Sequence, residues 1–282
     1  MTAGELAASW AYCADQARAA DHGRWLASLF APEAERRDLW ALLAFNAEIA
    51  RTREVVREPM LGQIRLQWWR EAIDEAYRGE VRAHQVMMPL ADAIARRRPP
   101  RERFEALIDG RLRDLDDAPF ESLAALEAYA AATSGCLSLL MLDLLGVDDG
   151  ARAAARAIGT AWALVGLASA TPHLAARRRL MLPRDLMGAI NPESLFTGRP
   201  DAALAEVVRT MVDRAAALLD EARRDRRQVP PASLPALVPA RLLDRQIARI
   251  RRAGHRVFDL PPQPPSATAP IRLWWAVRSG RF

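Results

Sequence analysis

Side chains that could bind a metal ion or an anion are concentrated in the segment 39–57 of the 282-residue chain. Glu48 and Glu54 offer the carboxylate oxygens that magnesium prefers. Asn46, Glu48 and Arg57 could instead contact an anion or another ligand. The spacing of apolar residues in this segment is helical. The segment therefore predicts a helix that carries either a cation site or an anion site.

A second group of basic side chains follows a long apolar helix predicted over 149–175. His173 precedes the run Arg177, Arg178 and Arg179. Positive charge at the end of a helix complements the helix dipole. The same run could instead bind an anion through paired guanidinium hydrogen bonds. The sequence leaves both interpretations open.

Asp114, Asp116 and Asp117 form the densest acidic group outside these segments. Nearby arginines and a following proline favour a solvated helix end over a metal site. Cys13 and Cys136 are far apart and lack neighbouring metal ligands, so we expect two small core residues. The chain also lacks the glycine-rich and nucleophile motifs of nucleotide-binding proteins and hydrolases. Nucleotide-binding proteins and hydrolases that use these motifs are therefore excluded.

The basic charge comes from arginine alone, since no lysine occurs among the 40 basic residues that oppose 35 acidic ones. No nucleic-acid-binding motif accompanies the net charge of +5, so we expect no nucleic-acid partner. Anionic lipid head groups and diphosphates fit this charge equally well. No apolar run approaches the roughly 18 residues of a membrane span, and the N-terminus does not resemble a signal peptide. We expect a cytoplasmic location.

The elements that must position these residues are helices. Apolar residues recur at helical spacing along most of the chain, and no long window alternates apolar and polar residues as a strand would. This pattern predicts an all-α protein with one domain over residues 1–282. Proline-rich stretches from about 229 are expected to wrap around the surface before a terminal helix. The predicted helices are 4–21, 33–57, 60–79, 84–97, 101–117, 121–146, 149–175, 201–227, 233–253 and 270–278.

Five short segments resemble, in order, landmarks of the squalene/phytoene synthase family. They are Leu43-Ala44-Phe45, RLQWWR at 65–70, the segment 129–135, Gly159-Thr160-Ala161 and RLMLP at 179–183. The resemblance extends over about 26–188. It implies an isoprenoid synthase-like helical bundle, in which helices 33–57 and 149–175 face each other across a central cavity.

The metal-binding positions of that family are altered in this chain. In the family, two acidic motifs hold magnesium ions against a prenyl diphosphate. Only one of the matching positions, which the resemblance places along the cavity, is acidic. We therefore expect neither a catalytic residue nor a metal cofactor. The matching residues are Ala50, Arg51, Glu54, Gly166, Ala170 and Leu174.

This altered pattern is similar to the branch of the family that contains the mitochondrial complex I assembly factor. The resemblance implies a non-catalytic role in the biogenesis of respiratory complex I, with a protein partner and a position at the inner face of the cytoplasmic membrane. An apolar pocket for a prenyl or quinone-like lipid is a further expectation. The alternative is an active prenyl-diphosphate synthase that uses magnesium at a relocated site formed by Glu48, Glu54 or the acids at 114–117.

Two tryptophan pairs suggest contact surfaces. Adjacent residues on a helix point about 100° apart, so one of Trp68 and Trp69 is expected in the core and the other at a partner or membrane. Trp274 and Trp275 lie among arginines, which suits a membrane interface or a protein contact. A terminal helix that only closes the bundle is the alternative.

Small residues also recur at helical spacing within 149–175. We expect this stripe of small residues to let two helices pack closely, in preference to lining a pocket. It consists of Gly159, Ala163, Gly166 and Ala170.

Overall fold

The computed structural model describes residues 3–56, 58–147, 149–188, 190–224, 226–261 and 266–282. Over these residues the chain is helical without any strand, apart from an isolated bridge between Phe120 and Pro183. The predicted all-α class is confirmed. The α-helices are α1 (Ala3–Ala20), α2 (His22–Ser28), α3 (Glu33–Ala50), α4 (Thr52–Val55), α5 (Pro59–Arg78), α6 (Met87–Arg97), α7 (Arg101–Leu112), α8 (Leu123–Ala130), α9 (Cys136–Leu144), α10 (Arg152–Ala176), α11 (Arg184–Met187), α12 (Pro192–Phe196), α13 (Leu204–Arg223), α14 (Leu234–Leu237), α15 (Ala240–Arg252) and α16 (Ala269–Arg278).

Proline and glycine mark the ends of helix α5. Pro59 occupies its first turn, where a missing backbone N–H removes no helical hydrogen bond. Gly79 ends the helix in the left-handed conformation, with φ of +86°. Glycine adopts this conformation without the steric cost that a side chain would bring. A proline and a glycine in the sequence therefore define the two ends of α5.

Two predicted helices are interrupted. The helix predicted over 33–57 stops at Ala50, and Arg51 connects it to the short α4; Arg57 lies outside the described residues. The helix predicted over 121–146 contains a π-helical turn at 131–135 between α8 and α9. Neither interruption contains a proline, but the π-helical turn ends in the pair Ser134-Gly135, and such pairs are common where helices are distorted.

Helix α10 lies at the centre of the packing. It contacts α13, α9 and the π-helical turn. A Cβ atom at Gly159 would lie 2.6 Å from Ser138 Oγ and 2.8 Å from the Cα atom of Gly135. These distances are below van der Waals contact, so only glycine permits this approach of α10 to the turn. The predicted packing role of the small-residue stripe applies to this position.

The buried side chains form one main cluster that includes Trp10 near the start and Phe282 at the end. A smaller cluster joins α2 to α16 through Leu26, Val238 and Leu273. Within the C-terminal proline-rich part, α14 is buried, whereas 262–265 lie outside the described residues.

Two helical stretches, Leu123–Leu144 and Asp149–Ala176, are long and apolar enough to cross a membrane by length and composition. Charged residues, among them Glu127 and Arg156, interrupt both stretches, so neither is an uninterrupted apolar run. In the fold, 67% and 50% of the respective apolar windows are buried inside the protein. Buried core helices can be equally long and apolar, so these two stretches are weak evidence for a membrane span.

Candidate functional site

The residues at the first altered metal motif line a pocket of about 400 Å³. One wall is the C-terminal half of α3 with the start of α4. The opposite wall is the end of α1, which packs along α3, and none of the described lining residues belongs to α10. The lining residues are Gln16, Ala19, Ala20, Asp21, Leu43, Asn46, Ala47, Ala50, Arg51 and Glu54.

The acidic side chains near this pocket are neutralised by arginine. Glu48 is buried and accepts hydrogen bonds from Arg51 and, at 2.6 Å, from Arg65. Burial, and secondarily the charge of Arg51, lower the pKa of Arg65. Glu54 instead lies at the surface and pairs with Arg177 at 3.3 Å. The two carboxylates therefore do not converge on one point.

The second altered motif offers no metal ligand. Gly166, Ala170 and Leu174 lie on α10, where none supplies a side-chain oxygen. A Cβ atom at Gly166 would meet no atom within 4 Å, so this part of the small-residue stripe faces open space. Among the described residues, no three histidine, cysteine or acidic side chains are grouped so that they could hold a metal ion. The residues present do not fit magnesium.

The three consecutive arginines after α10 contact different partners. Arg177 pairs with Glu54, which links the end of α10 to α4. Arg178 pairs with Glu193 at 2.6 Å and lies over the ring of Phe196. Arg179 donates to the backbone carbonyl of Asp114 and lies 3.4 Å from Asp117. In this arrangement the three guanidinium groups are not gathered around one anion.

A larger pocket of about 540 Å³ opens between α2, α10 and α15. Its polar lining includes His173, predicted from the sequence, and also His22, Arg245 and Arg249. Gln246 donates a hydrogen bond to Ser169 at 2.9 Å across this wall. None of the described lining residues is acidic, so the pocket combines apolar walls with groups that carry or can acquire positive charge. The remaining lining residues are Gly23, Leu26, Pro172, Leu242, Ile250, Val257, Leu260, Pro261, Ser266 and Ala269.

Helix α2 and its buried arginine were not predicted. Asp21 caps the helix by accepting the backbone N–H of Arg24, and the two side chains form an ion pair at 2.9 Å. Arg24 also donates to Ser134 and lies over the ring of Trp162. This side chain joins α2 to the central helix. The available signal was an aspartate placed before an apolar run, which is typical of a helix start.

A buried polar network lies where the sequence predicted a solvated acidic helix end. Asp114 is buried and accepts a 2.6 Å hydrogen bond from the Tyr129 hydroxyl. Arg111 donates to Asp114, to Tyr129 and to the Asn46 side chain. Burial raises the pKa of Tyr129 above its usual range. The prediction is wrong for Asp114, because a tyrosine from α8 and the arginine three residues earlier satisfy its carboxylate inside the protein. Asp116 and Asp117 remain exposed.

The four predicted contact tryptophans differ in exposure. Trp69 is buried against Phe45, whereas Trp68 is half-buried with the Arg82 guanidinium over its ring. Trp274 and Trp275 project into solvent with 51% and 62% of their surface exposed.

The all-helical architecture and the two altered motif regions define a synthase-like bundle in which one of the altered motif positions, Glu54, is acidic. The profile of the family described as squalene/phytoene synthase matches residues 17–275, and the chain belongs to that family.

Within the family, the chain is 31% identical to NADH dehydrogenase (ubiquinone) complex I, assembly factor 6, from Mus musculus, over 93% of this chain and 80% of that protein. It is 24% identical to phytoene synthase 1, chloroplastic, from Arabidopsis thaliana, over 79% of this chain and 55% of that protein.

Solved structures share the fold. A dehydrosqualene synthase in complex with ligand superposes with a TM-score of 0.83 at 18% identity, covering 98% of this chain and 97% of that chain. Squalene synthase HpnC from Alicyclobacillus acidocaldarius gives a TM-score of 0.76 at 24% identity, covering 90% of this chain and 97% of that chain.

Proposed function

We propose that this protein is a non-catalytic assembly factor for respiratory complex I, built on a squalene/phytoene synthase fold. The observation that carries the proposal is the chemistry at the altered motif positions. Of the five acids that the family pattern would place there, only Glu54 is present, and it pairs with Arg177 at the surface. Magnesium binds through several oxygen ligands, which this arrangement does not offer.

Sequence similarity supports the same proposal. The relatives from mouse and rat named as complex I assembly factor 6 are each 31% identical to the chain over 93% of its length. The two plant phytoene synthases are 24% and 23% identical over 79% of it. The chain is thus more similar, and over a longer span, to assembly factors than to these enzymes.

Genetic complementation tests the assembly role. Deleting the gene should lower the amount of assembled NADH:quinone oxidoreductase on a native gel, and the wild-type gene should restore it. The Glu54→Gln variant should restore it equally well, because this exposed glutamate is not a metal ligand in our proposal. Glu206→Gln is the matched control, since Glu206 is also exposed and pairs with one arginine, Arg209. Normal complex I levels in the deletion strain would reject the proposal.

A direct assay tests the absence of catalysis. Purified protein with farnesyl diphosphate and magnesium should release no more diphosphate than a sample without protein. Magnesium alone should leave the melting temperature unchanged, because only an ion bound by the folded state stabilises it by mass action. Turnover that Glu54→Gln abolishes would instead establish the alternative, a prenyl-diphosphate synthase.

We also propose that the 540 Å³ pocket binds a prenyl lipid with an anionic head group. Its volume is within the usual range for small-molecule sites. Apolar side chains such as Leu242 and Ile250 suit a prenyl chain, and Arg245, which donates to Ser266, suits a phosphate.

Thermal shift assays with farnesyl phosphate, farnesol and a short-chain quinone distinguish the head groups. Farnesyl phosphate should raise the melting temperature without magnesium, and the two neutral lipids should not. Arg245→Gln should remove the shift, whereas Arg241→Gln, on the same helix but outside the pocket, should keep it. An equal shift in both variants would contradict the proposal.

A further inference from the structure

The terminal helix α16 has one face buried in the bundle. Ala269, Leu273 and Ala276 are each at most 6% exposed and pack with Leu26 and Val238 in the smaller core cluster. This part of the helix closes the bundle, as one of the two sequence-based alternatives stated. Its burial fixes the direction in which the other side chains of the helix point.

The outward face of α16 is apolar and aromatic. Ile271, Trp274 and Trp275 are 62%, 51% and 62% exposed. Their spacing of three and four residues places them on one side of the helix, and Arg278 continues the same stripe one turn later. The two indole rings pack edge to face at 5.2 Å. Tryptophan is enriched where an apolar phase meets water, because its ring is apolar and its N–H needs a polar partner.

The charge around this stripe is positive and unneutralised. Residues 260–282 contain Arg272, Arg278 and Arg281 and no acidic residue. These three arginines are exposed and form no ion pair with any described carboxylate. Arg226 lines the same surface pocket as Arg278 and adds a further positive charge.

Several arginines elsewhere are neutralised by acids. Arg82 pairs with two glutamates on α5, and Arg214 pairs with Glu127 and Glu221. At the C-terminal surface, by contrast, the exposed arginines lie beside exposed indoles in a segment without acidic residues.

We propose that the outer face of α16 binds the surface of an anionic phospholipid membrane. Trp274, Trp275 and Ile271 would lie at the level of the head groups, and the arginines would bind lipid phosphates. A protein partner fits less well, because three side chains of about 150–250 Å² each cover less than the roughly 800 Å² per partner of a stable protein interface. An anionic membrane supplies complementary charge without requiring a larger matched surface.

Vesicle co-sedimentation tests the proposal without any complex I component, so its outcome is independent of the assembly role. The probes are phosphatidylcholine vesicles with and without 40 mol% phosphatidylglycerol. Wild-type protein should bind the anionic vesicles in about 0.1 M salt and dissociate in about 1 M salt, where the Debye length falls to about 3 Å. Phosphatidylcholine alone should bind it at least tenfold more weakly.

Two variants with matched controls separate the contributions. Trp274→Ser with Trp275→Ser should weaken binding at least tenfold, whereas Met60→Ser with Ile64→Ser, an exposed apolar pair on α5, should not. Replacing Arg272, Arg278 and Arg281 by glutamine should weaken binding about 100-fold, at about fivefold per charge near a membrane. The control for net charge replaces three arginines exposed on other helices, Arg37, Arg78 and Arg209.

Unchanged circular dichroism spectra must accompany these results, and they are expected because every substituted side chain is exposed. Vesicle binding that is insensitive to the tryptophan substitutions, or equal for neutral and anionic vesicles, would overturn the proposal. A wild-type protein that binds no vesicle, but loses a protein partner when the tryptophans are replaced, would identify the surface as a protein contact instead.

Discussion

Two glycines on the same helix provide a test of how the small-residue stripe is used. Gly159 touches the π-helical turn, whereas Gly166, two turns later on α10, faces open space. Replacing each glycine by alanine adds the same methyl group to the same helix. The two variants should therefore shift stability in opposite directions.

Two contributions determine the expected change in the free energy of unfolding. Alanine is favoured over glycine within a helix by about 1 kcal/mol, and this term applies to both sites. At Gly159 the new methyl group would overlap Ser138 Oγ and the backbone of the adjoining turn. Overpacking a protein core costs up to about 3 kcal/mol, and we use this upper value because the backbone of the turn would have to move. Gly166→Ala should thus gain about 1 kcal/mol and Gly159→Ala should lose about 2 kcal/mol.

Urea and thermal unfolding followed by circular dichroism measure these differences. At about 3 °C per kcal/mol, the melting temperature should rise by about 3 °C for Gly166→Ala and fall by about 6 °C for Gly159→Ala. A Gly159→Ala variant as stable as wild type would refute the close approach of α10 to the turn. A destabilised Gly166→Ala variant would show that another segment covers this part of the helix.

Three further outcomes are expected. Burial raises the pKa of Cys13 to about 12 and that of Cys136 to about 11, so an aromatic disulfide reagent at pH 8 should modify neither thiol until urea unfolds the protein; rapid reaction of the native protein would contradict this. Burial lowers the pKa of His84 from 6.5, so the unfolded chain binds more protons and stability should fall as the pH drops below about 6.5. The difference between the urea midpoints at pH 7.5 and 5.5 measures this loss of stability, and the difference should be smaller in the His84→Gln variant. An equal difference in the variant would contradict the role of His84. Arg24→Met should lower the free energy of unfolding by about 3 kcal/mol by leaving Asp21 unpaired, and a loss below about 1 kcal/mol in urea titrations would argue against the buried ion pair.

Local sequence signals predicted the elements whose ends depend on backbone chemistry. Pro59 and Gly79 define α5 because one lacks an N–H and the other tolerates a positive φ. The interruption at Arg51 has no such signal, since its backbone φ of −82° and ψ of 4° is accessible to any residue. Tertiary packing, and not local preference, determines the end of α3.

The charged residues of the interior were harder to predict for a related reason. Asp114 lies in a segment whose alternating acids and arginines are typical of a solvated helix end. Its burial depends on Tyr129, which approaches it only in the folded protein, in addition to Arg111 three residues earlier in the chain. Arg24 is similar, because its contacts with Ser134 and Trp162 come from distant parts of the chain. Spacing along one helix contains no information about such partners.

Arginine provides the positive charge around the remaining acids of the altered metal motifs. Arg51, at a motif position, and Arg65 both bind the buried Glu48, so this carboxylate is neutralised without a metal ion. An aspartate introduced at Ala50 would point away from Glu48, since residues two apart on a helix lie about 200° apart, and it would enter the pocket that Arg51 also lines. Restoring acids alone would therefore not rebuild a magnesium site. Arg51, which adds positive charge at a motif position, would also have to be removed, and the buried Glu48 would then lose one of its two guanidinium partners, at a cost in stability.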